Sequence, residues 1–97
     1  MPGYISLGKY TQQGLATIKQ SPERLKQNKA AMEKMGIRLV GIWWTLGEYD
    51  MVAVWDAPDD QSIATILFAM GQTGFSTGQT MRALSEEEFA QVVRKLP

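Results

Sequence analysis

The segment from Ile37 to Trp55 limits the possible folds of this chain most strongly, because it is apolar on both faces of any hairpin that it forms. It reads IRLVGIWWTLGEYDMVAVW. Two runs of β-branched and aromatic residues flank Gly47-Glu48, which predicts strands at Ile37–Leu46 and Tyr49–Trp55. A two-residue turn with glycine first requires a positive φ at Gly47.

This turn also fixes which residues of the hairpin face each other, since side chains alternate across a strand. The register predicts Trp44 opposite Met51, Ile42 opposite Ala53 and Val40 opposite Trp55. The other face then receives Leu39, Gly41, Trp43, Thr45, Asp50, Val52 and Val54. Both faces carry large apolar side chains, and the sequence leaves open which of them the helices cover.

The first part of the chain predicts a strand followed by a broken helix. Tyr4–Tyr10 alternates as a strand does, and Thr11 is a suitable N-cap for a helix that begins at Gln12. Ser21-Pro22 predicts a restart, with serine as N-cap and proline as the first helical residue. Gly36 suits the helix C-terminus.

The last part of the chain predicts a helix, a strand and a short final helix. Asp59 or Asp60 caps the first of these helices, which ends at Gly71 or Gly74. The strand spans Phe75–Leu84. Ser85 and Glu88 form a capping box, and the final helix is expected to bury Phe89, Val92, Val93 and Leu96.

The resulting element order predicts an α+β protein with the ferredoxin-like βαββαβ fold. It has an antiparallel four-stranded sheet, helices on one face and a short C-terminal helix. The 97 residues make one domain, 1–97. Because helices cover one face only, the other would expose an apolar area that soluble monomers rarely tolerate. We therefore expect a homodimer that packs sheet against sheet.

Composition excludes several classes of function. Ten basic and ten acidic residues cancel, so no basic field attracts nucleic acid or an anionic membrane. The chain has no cysteine and no histidine, which removes thiolate catalysis and the usual metal and haem ligands. We expect no metal, no cofactor and no membrane span, and a cytoplasmic location.

Several motifs resemble the GYD domain family. They are TLGEYDMVAVWDAPDD at 45–60, YISLGKYT at 4–11, SPER at 21–24 and MRALSEEEF at 81–89. The resemblance covers nearly the whole chain. It implies the fold of the dimeric α/β-barrel superfamily, in which two ferredoxin-like sheets close against each other, and it implies no particular reaction.

The GEYD turn gives the first candidate site. A structural role is favoured, in which Gly47 supplies the turn geometry and Asp50 accepts hydrogen bonds from the turn backbone or from Thr45. In a catalytic role Asp50 would be the base, with Tyr49, Tyr10 or Arg82 stabilising developing negative charge.

A second candidate site is an aromatic cavity for a flat apolar ligand. Its candidate lining is Tyr4, Tyr10, Trp43, Trp44, Met51 and Trp55, although adjacent Trp43 and Trp44 must point to opposite faces. The same residues suit a dimer interface. Lys9 and Arg82 could bind an anionic group of the ligand, but a salt bridge, for example to Asp50 or Glu48, or a protective charge on an edge strand is favoured.

Three functions remain compatible with these residues. The first is a homo-oligomeric binding or regulatory module for a small, partly apolar ligand. The second is a cofactor-free enzyme of the oxygenase or isomerase type that acts inside the cavity. The third is a structural assembly subunit.

Overall fold

The computed structural model describes residues 1–97 and has the predicted order of elements, with one additional 3₁₀ turn. The strands are β1 (Gly3–Tyr10), β2 (Arg38–Trp44), β3 (Met51–Asp56) and β4 (Ser76–Ala83). The helices are α1 (Gln12–Ala16), α2 (Ser21–Lys34), α3 (Asp60–Gly71) and α4 (Glu86–Arg94), and the 3₁₀ turn is Ile18–Gln20. No helix is long and apolar enough to cross a bilayer.

The four strands form one antiparallel sheet in the order β2-β3-β1-β4. This is the ferredoxin-like arrangement expected from the sequence. The helices bury the face that carries Tyr4, Ala53 and Trp55, and the core is completed by Met32, Ile37, Ala57, Ile63 and Ile66. The opposite face carries mainly aliphatic side chains from β1 and β3.

The predicted two-residue turn between β2 and β3 is wrong, because a six-residue loop, Thr45–Asp50, joins these strands. Thr45 closes the loop: its backbone N–H donates to the Asp50 carbonyl at 2.8 Å, and its hydroxyl donates to the Tyr49 carbonyl at 2.5 Å. Both strands are therefore shorter than predicted. Gly47 has a φ of 151°, so the expected positive φ is confirmed.

The predicted register of this hairpin is correct near the loop and wrong at its far end. Trp44 lies opposite Met51 and Ile42 opposite Ala53, but Leu39 takes the place opposite Trp55. A β-bulge between Leu39 and Gly41 causes the change, since one extra residue reverses the faces of everything beyond it. Leu39 thereby packs against the core.

The predicted break near Pro22 is confirmed, but Ser21 is not the N-cap. The 3₁₀ turn leads directly into α2, and Gln20 before it already has helical φ and ψ without a side-chain cap. The Ser21 hydroxyl is therefore available to other groups, and it accepts hydrogen bonds from the Tyr10 hydroxyl and from Arg24.

At the C-terminal end, the capping box of Ser85 and Glu88 is confirmed, and Asp59 is the N-cap of α3. The predicted burial of the apolar side of α4 is wrong. Phe89 is 59% exposed and Leu96 is 64% exposed, with Val92 and Val93 close to half exposed. An ion pair between Arg82 of β4 and Glu88 in the first turn of α4, at 2.9 Å, holds the start of this helix. The apolar side of α4 is not covered within the chain.

Candidate functional site

A cleft opens between the helix-covered face of the sheet and helix α2, at the end of the sheet where β1 and β2 finish. Its volume is about 230 Å³. The apolar lining is Tyr10, Leu25, Ile42, Trp44, Met51, Met70 and Phe75. The polar lining is Ser21, Arg24, Gln27, Asn28, Thr73 and Ser76.

The strand register brings the sheet residues of the cleft together. Tyr10 and Ser76 are paired across β1 and β4, and Trp44 and Met51 are paired across β2 and β3. Paired residues point to the same face of a sheet. The residues nearest the strand ends therefore form a wall that faces α2.

Helix α1 fixes Phe75 on the other side of the cleft. The backbone N–H of Thr11 donates to the Phe75 carbonyl at 3.1 Å. A Cβ atom on Gly14 would lie only 1.9 Å from the same carbonyl oxygen, so the close approach of α1 to this segment requires a glycine there.

A chain of hydrogen bonds holds the polar side of the cleft. The Trp44 indole N–H donates to the Tyr10 hydroxyl at 3.0 Å, which in turn donates to the Ser21 hydroxyl at 3.1 Å. Arg24 also donates to Ser21, at 3.1 Å. These hydrogen bonds fix the orientation of the aromatic wall, which would lower the entropic cost of binding a ligand there.

Arg24 gives the cleft a positive charge. Its guanidinium carbon lies 4.1 Å from the centre of the Phe75 ring, in a cation–π contact. It donates further hydrogen bonds to the carbonyl and the hydroxyl of Thr17, at 3.2 and 3.1 Å. The lining contains no aspartate or glutamate.

The residues predicted to bind a ligand divide into three groups. Tyr10, Trp44 and Met51 lie together in the cleft. Tyr4 and Trp55 lie on the same face but are buried in the core. Trp43 and Lys9 pair with residues of the opposite face, at Val52 and Thr77.

The residues predicted to be catalytic do not share one site. The Asp50 carboxylate accepts a hydrogen bond from the Tyr10 backbone N–H at 2.9 Å. The Tyr49 ring lies 5.2 Å from the Lys9 ammonium. Arg82 is paired with Tyr4, at the other end of β1 from Tyr10.

The two strand cations, Lys9 and Arg82, both have carboxylate partners. Lys9 lies 3.9 Å from Glu48, which is the salt bridge that the sequence favoured. Arg82 contacts Glu88 instead. The pKa of Glu88 is lowered, mainly by the hydrogen bond from the Ser85 backbone and to a smaller extent by the contact with Arg82.

A second polar cluster lies near the start of α3. The Tyr4 hydroxyl donates to the Asp60 carboxylate, and this hydrogen bond raises the pKa of Tyr4. Nearby, the Trp55 indole donates to Ser6 at 2.9 Å. These contacts satisfy the polar atoms of buried aromatic side chains.

A larger depression, of about 360 Å³, lies beside the C-terminal end of α2 and the start of β2. Four of its seven lining residues are polar or glycine, and none was predicted to bind a ligand: Lys29, Glu33, Gly36 and Arg38, with Met32, Ile37 and Leu39. We therefore take the aromatic cleft as the candidate site.

Sequence comparison identifies known proteins to which this chain is similar. The profile of the GYD domain matches residues 4–93. The chain belongs to the GYD domain family. This GYD domain is 32% identical over 85 residues to the "Glutamine synthetase and cystathionine beta-lyase binding protein" of Thermus thermophilus. The match covers 87% of this chain and 90% of the relative.

Within this GYD domain, the aspartate of the GEYD loop contacts the main chain beside the cleft. We expect Asp50→Ala to lower the free energy of unfolding by about 1.5–3 kcal/mol, because it removes a hydrogen bond to a charged acceptor. Asp50→Asn keeps an acceptor oxygen and should lose less. Urea denaturation measures both effects.

Glu48→Ala is the matched control in the same loop, since its exposed ion pair contributes at most about 1 kcal/mol. An Asp50→Ala protein that is as stable as wild type but no longer binds ligand would contradict the structural role. It would instead favour a chemical role for this carboxylate.

Proposed function

We propose that this GYD domain is a homodimeric binding module that holds a small, partly apolar ligand in the cleft between its sheet and α2. The observation that carries the proposal is the preformed aromatic wall, in which Trp44 and Tyr10 are linked by a hydrogen bond. Ligand sites in proteins are commonly concave and apolar, with a few fixed polar groups. The cleft has this composition.

The dimer is supported by the surface that the chain exposes. Its accessible surface is 6872 Å², whereas a folded monomer of 10.8 kDa exposes about 5,500 Å². The excess accessible surface, about 1,400 Å², is nearly twice the roughly 800 Å² that each partner buries in a standard interface. The radius of gyration, 14.8 Å, also exceeds the roughly 12.5 Å expected for a compact domain of this length.

The open face of the sheet is the surface that we assign to this dimer. Val52 lies between Leu7 of β1 and Trp43 of β2, and Trp43 is 56% exposed. Ile5 and Val54 are paired beside them. A second copy placed on this face would bury a continuous aliphatic and aromatic area.

Binding is favoured over catalysis because the candidate acid–base group is already engaged. The Asp50 carboxylate is held by the backbone of Tyr10, and Arg82 lies at the opposite end of the sheet. Binding is favoured over a purely structural role because a protein that served only for packing would be expected to fill the cleft with its own side chains.

A second candidate function is the binding of a metabolic enzyme, because the name of the Thermus thermophilus relative describes the binding of two such enzymes. The exposed apolar side of α4 is available for a protein partner.

We expect purified glutamine synthetase or cystathionine β-lyase of the same organism to bind the wild-type protein. Phe89→Glu should weaken this binding, and Phe68→Glu on α3 should not, as calorimetry would measure. Binding of neither enzyme would remove this candidate.

Charge placed at the centre of the open face should separate the proposed dimer. We expect Val52→Lys to shift the protein from dimer to monomer in sedimentation equilibrium at micromolar concentration, because lysine would be buried without a partner. Phe68→Lys is the control, since Phe68 is 77% exposed on α3. A wild-type protein that sediments as a stable monomer would contradict the dimer.

Ligand occupancy of the cleft can be followed at two neighbouring tryptophans on opposite faces. We expect small aromatic compounds to shift the indole N–H resonance of Trp44 in NMR spectra and to leave that of Trp43 in place. Trp44→Ala should abolish the binding. Shifts confined to Trp43, or no binding by any compound of a fragment set, would contradict the proposed site.

A further inference from the structure

We propose that the ligand of the cleft is a small monocarboxylate with an aromatic or branched aliphatic body, and that Arg24 binds its carboxylate. The inference rests on the proposed function of the cleft and adds the chemical class of the ligand. It concerns a residue that neither the GEYD loop nor the predicted site includes.

The cation of Arg24 has no acidic partner within the chain. The three ion pairs of the protein join Lys9 to Glu48, Arg38 to Asp56 and Arg82 to Glu88. All of Arg24's hydrogen-bond acceptors are neutral: the Thr17 carbonyl, the Thr17 hydroxyl and the Ser21 hydroxyl. A partly buried cation without a counter-ion attracts an anion from solution.

The position of Arg24 in its helix strengthens this attraction. It lies in the first turn of α2, a helix of 14 residues. That end of a helix carries the positive end of the macrodipole, so a cation there is unfavourable for the helix and an anion is favourable. The dipole and the guanidinium therefore act in the same direction on a bound carboxylate.

The guanidinium is also held in a fixed orientation with donors left over. It stacks on Phe75 at 4.1 Å, and its three hydrogen bonds leave at least two of its five N–H groups free. A planar fork of this kind matches the two oxygens of a carboxylate. The orientation of the guanidinium, like that of the aromatic wall, is therefore set before a ligand binds.

The rest of the lining selects the body of the ligand. The seven apolar residues line one side of an open cleft of about 230 Å³, equal to roughly eight water molecules at about 30 Å³ each. A single ring or a short branched chain fills such a space. Since no aspartate or glutamate lines the cleft, an ammonium group would find no counter-charge there. A free amino acid should therefore bind more weakly than the same acid without its amino group.

The test compares three ligands of nearly the same shape on the wild-type protein, titrated by NMR at the Trp44 indole N–H. They are 3-phenylpropionate, its neutral amide and phenylalanine. We expect 3-phenylpropionate to bind at least tenfold more tightly than either of the other two. Equal affinity of the acid and the amide would overturn the role of charge while leaving the cleft as a binding site.

Substitution of the arginine provides the second arm. Arg24→Gln should weaken 3-phenylpropionate binding at least tenfold and leave binding of the amide unchanged. Arg24→Lys, which keeps the charge but loses the fork, should lie between wild type and Arg24→Gln. Arg94→Gln on α4 is the matched control and should change neither affinity.

Three further results would overturn the inference in distinguishable ways. Unchanged binding of the acid to a folded Arg24→Gln protein removes Arg24 as the anchor. Tighter binding of phenylalanine than of 3-phenylpropionate removes the ligand class. Failure of acid and amide alike to perturb Trp44 removes the proposed function of the cleft together with this inference.

Discussion

The alternation of β1 and β3 is the constraint on which the structure depends, because these central strands are apolar on both faces. The helices cover the face whose polar atoms can be satisfied within the chain. There the Trp55 indole donates to Ser6, and the Ser6 hydroxyl lies 2.7 Å from that of Thr80. Buried polar atoms without such partners would be costly. The other face is mainly aliphatic and needs no polar partner from its own chain, and it is the face that we propose for the dimer.

The family signature and the cleft are linked through the main chain rather than through a reacting group. Asp50 fixes the backbone of Tyr10, and the Tyr10 hydroxyl joins Trp44 to Ser21. Ser21 in turn receives Arg24. The GEYD loop therefore positions the wall of the cleft without entering it. Because the Asp50 carboxylate accepts its hydrogen bond from the backbone of Tyr10, it would affect ligand binding by holding the geometry of the cleft. The chemistry of a carboxylate group does not by itself indicate such a role.

The sequence predicts the parts of this fold that depend on neighbouring residues. The capping box at Ser85, the break near Pro22 and the facing pairs close to the GEYD loop follow from local rules. The bulge near Val40 does not, because it depends on the packing gained when Leu39 turns to the core. The contact of Arg24 with Phe75 joins residues far apart in the chain, so no spacing indicates it. For α4 the pattern identifies the apolar side but not what covers it.

Ligand binding in the cleft and dimer formation on the open face use opposite faces of the same strands. Substitutions can therefore separate these two proposed properties. Met51 lines the cleft and the next residue, Val52, lies on the open face. Trp44 and Trp43 divide in the same way on β2. A change at one face leaves the side chains of the other in place, but both share one backbone and one set of ladder hydrogen bonds. A ligand that moves the β2–β3 hairpin would therefore also move the surface assigned to the dimer, and ligand affinity would depend on protein concentration.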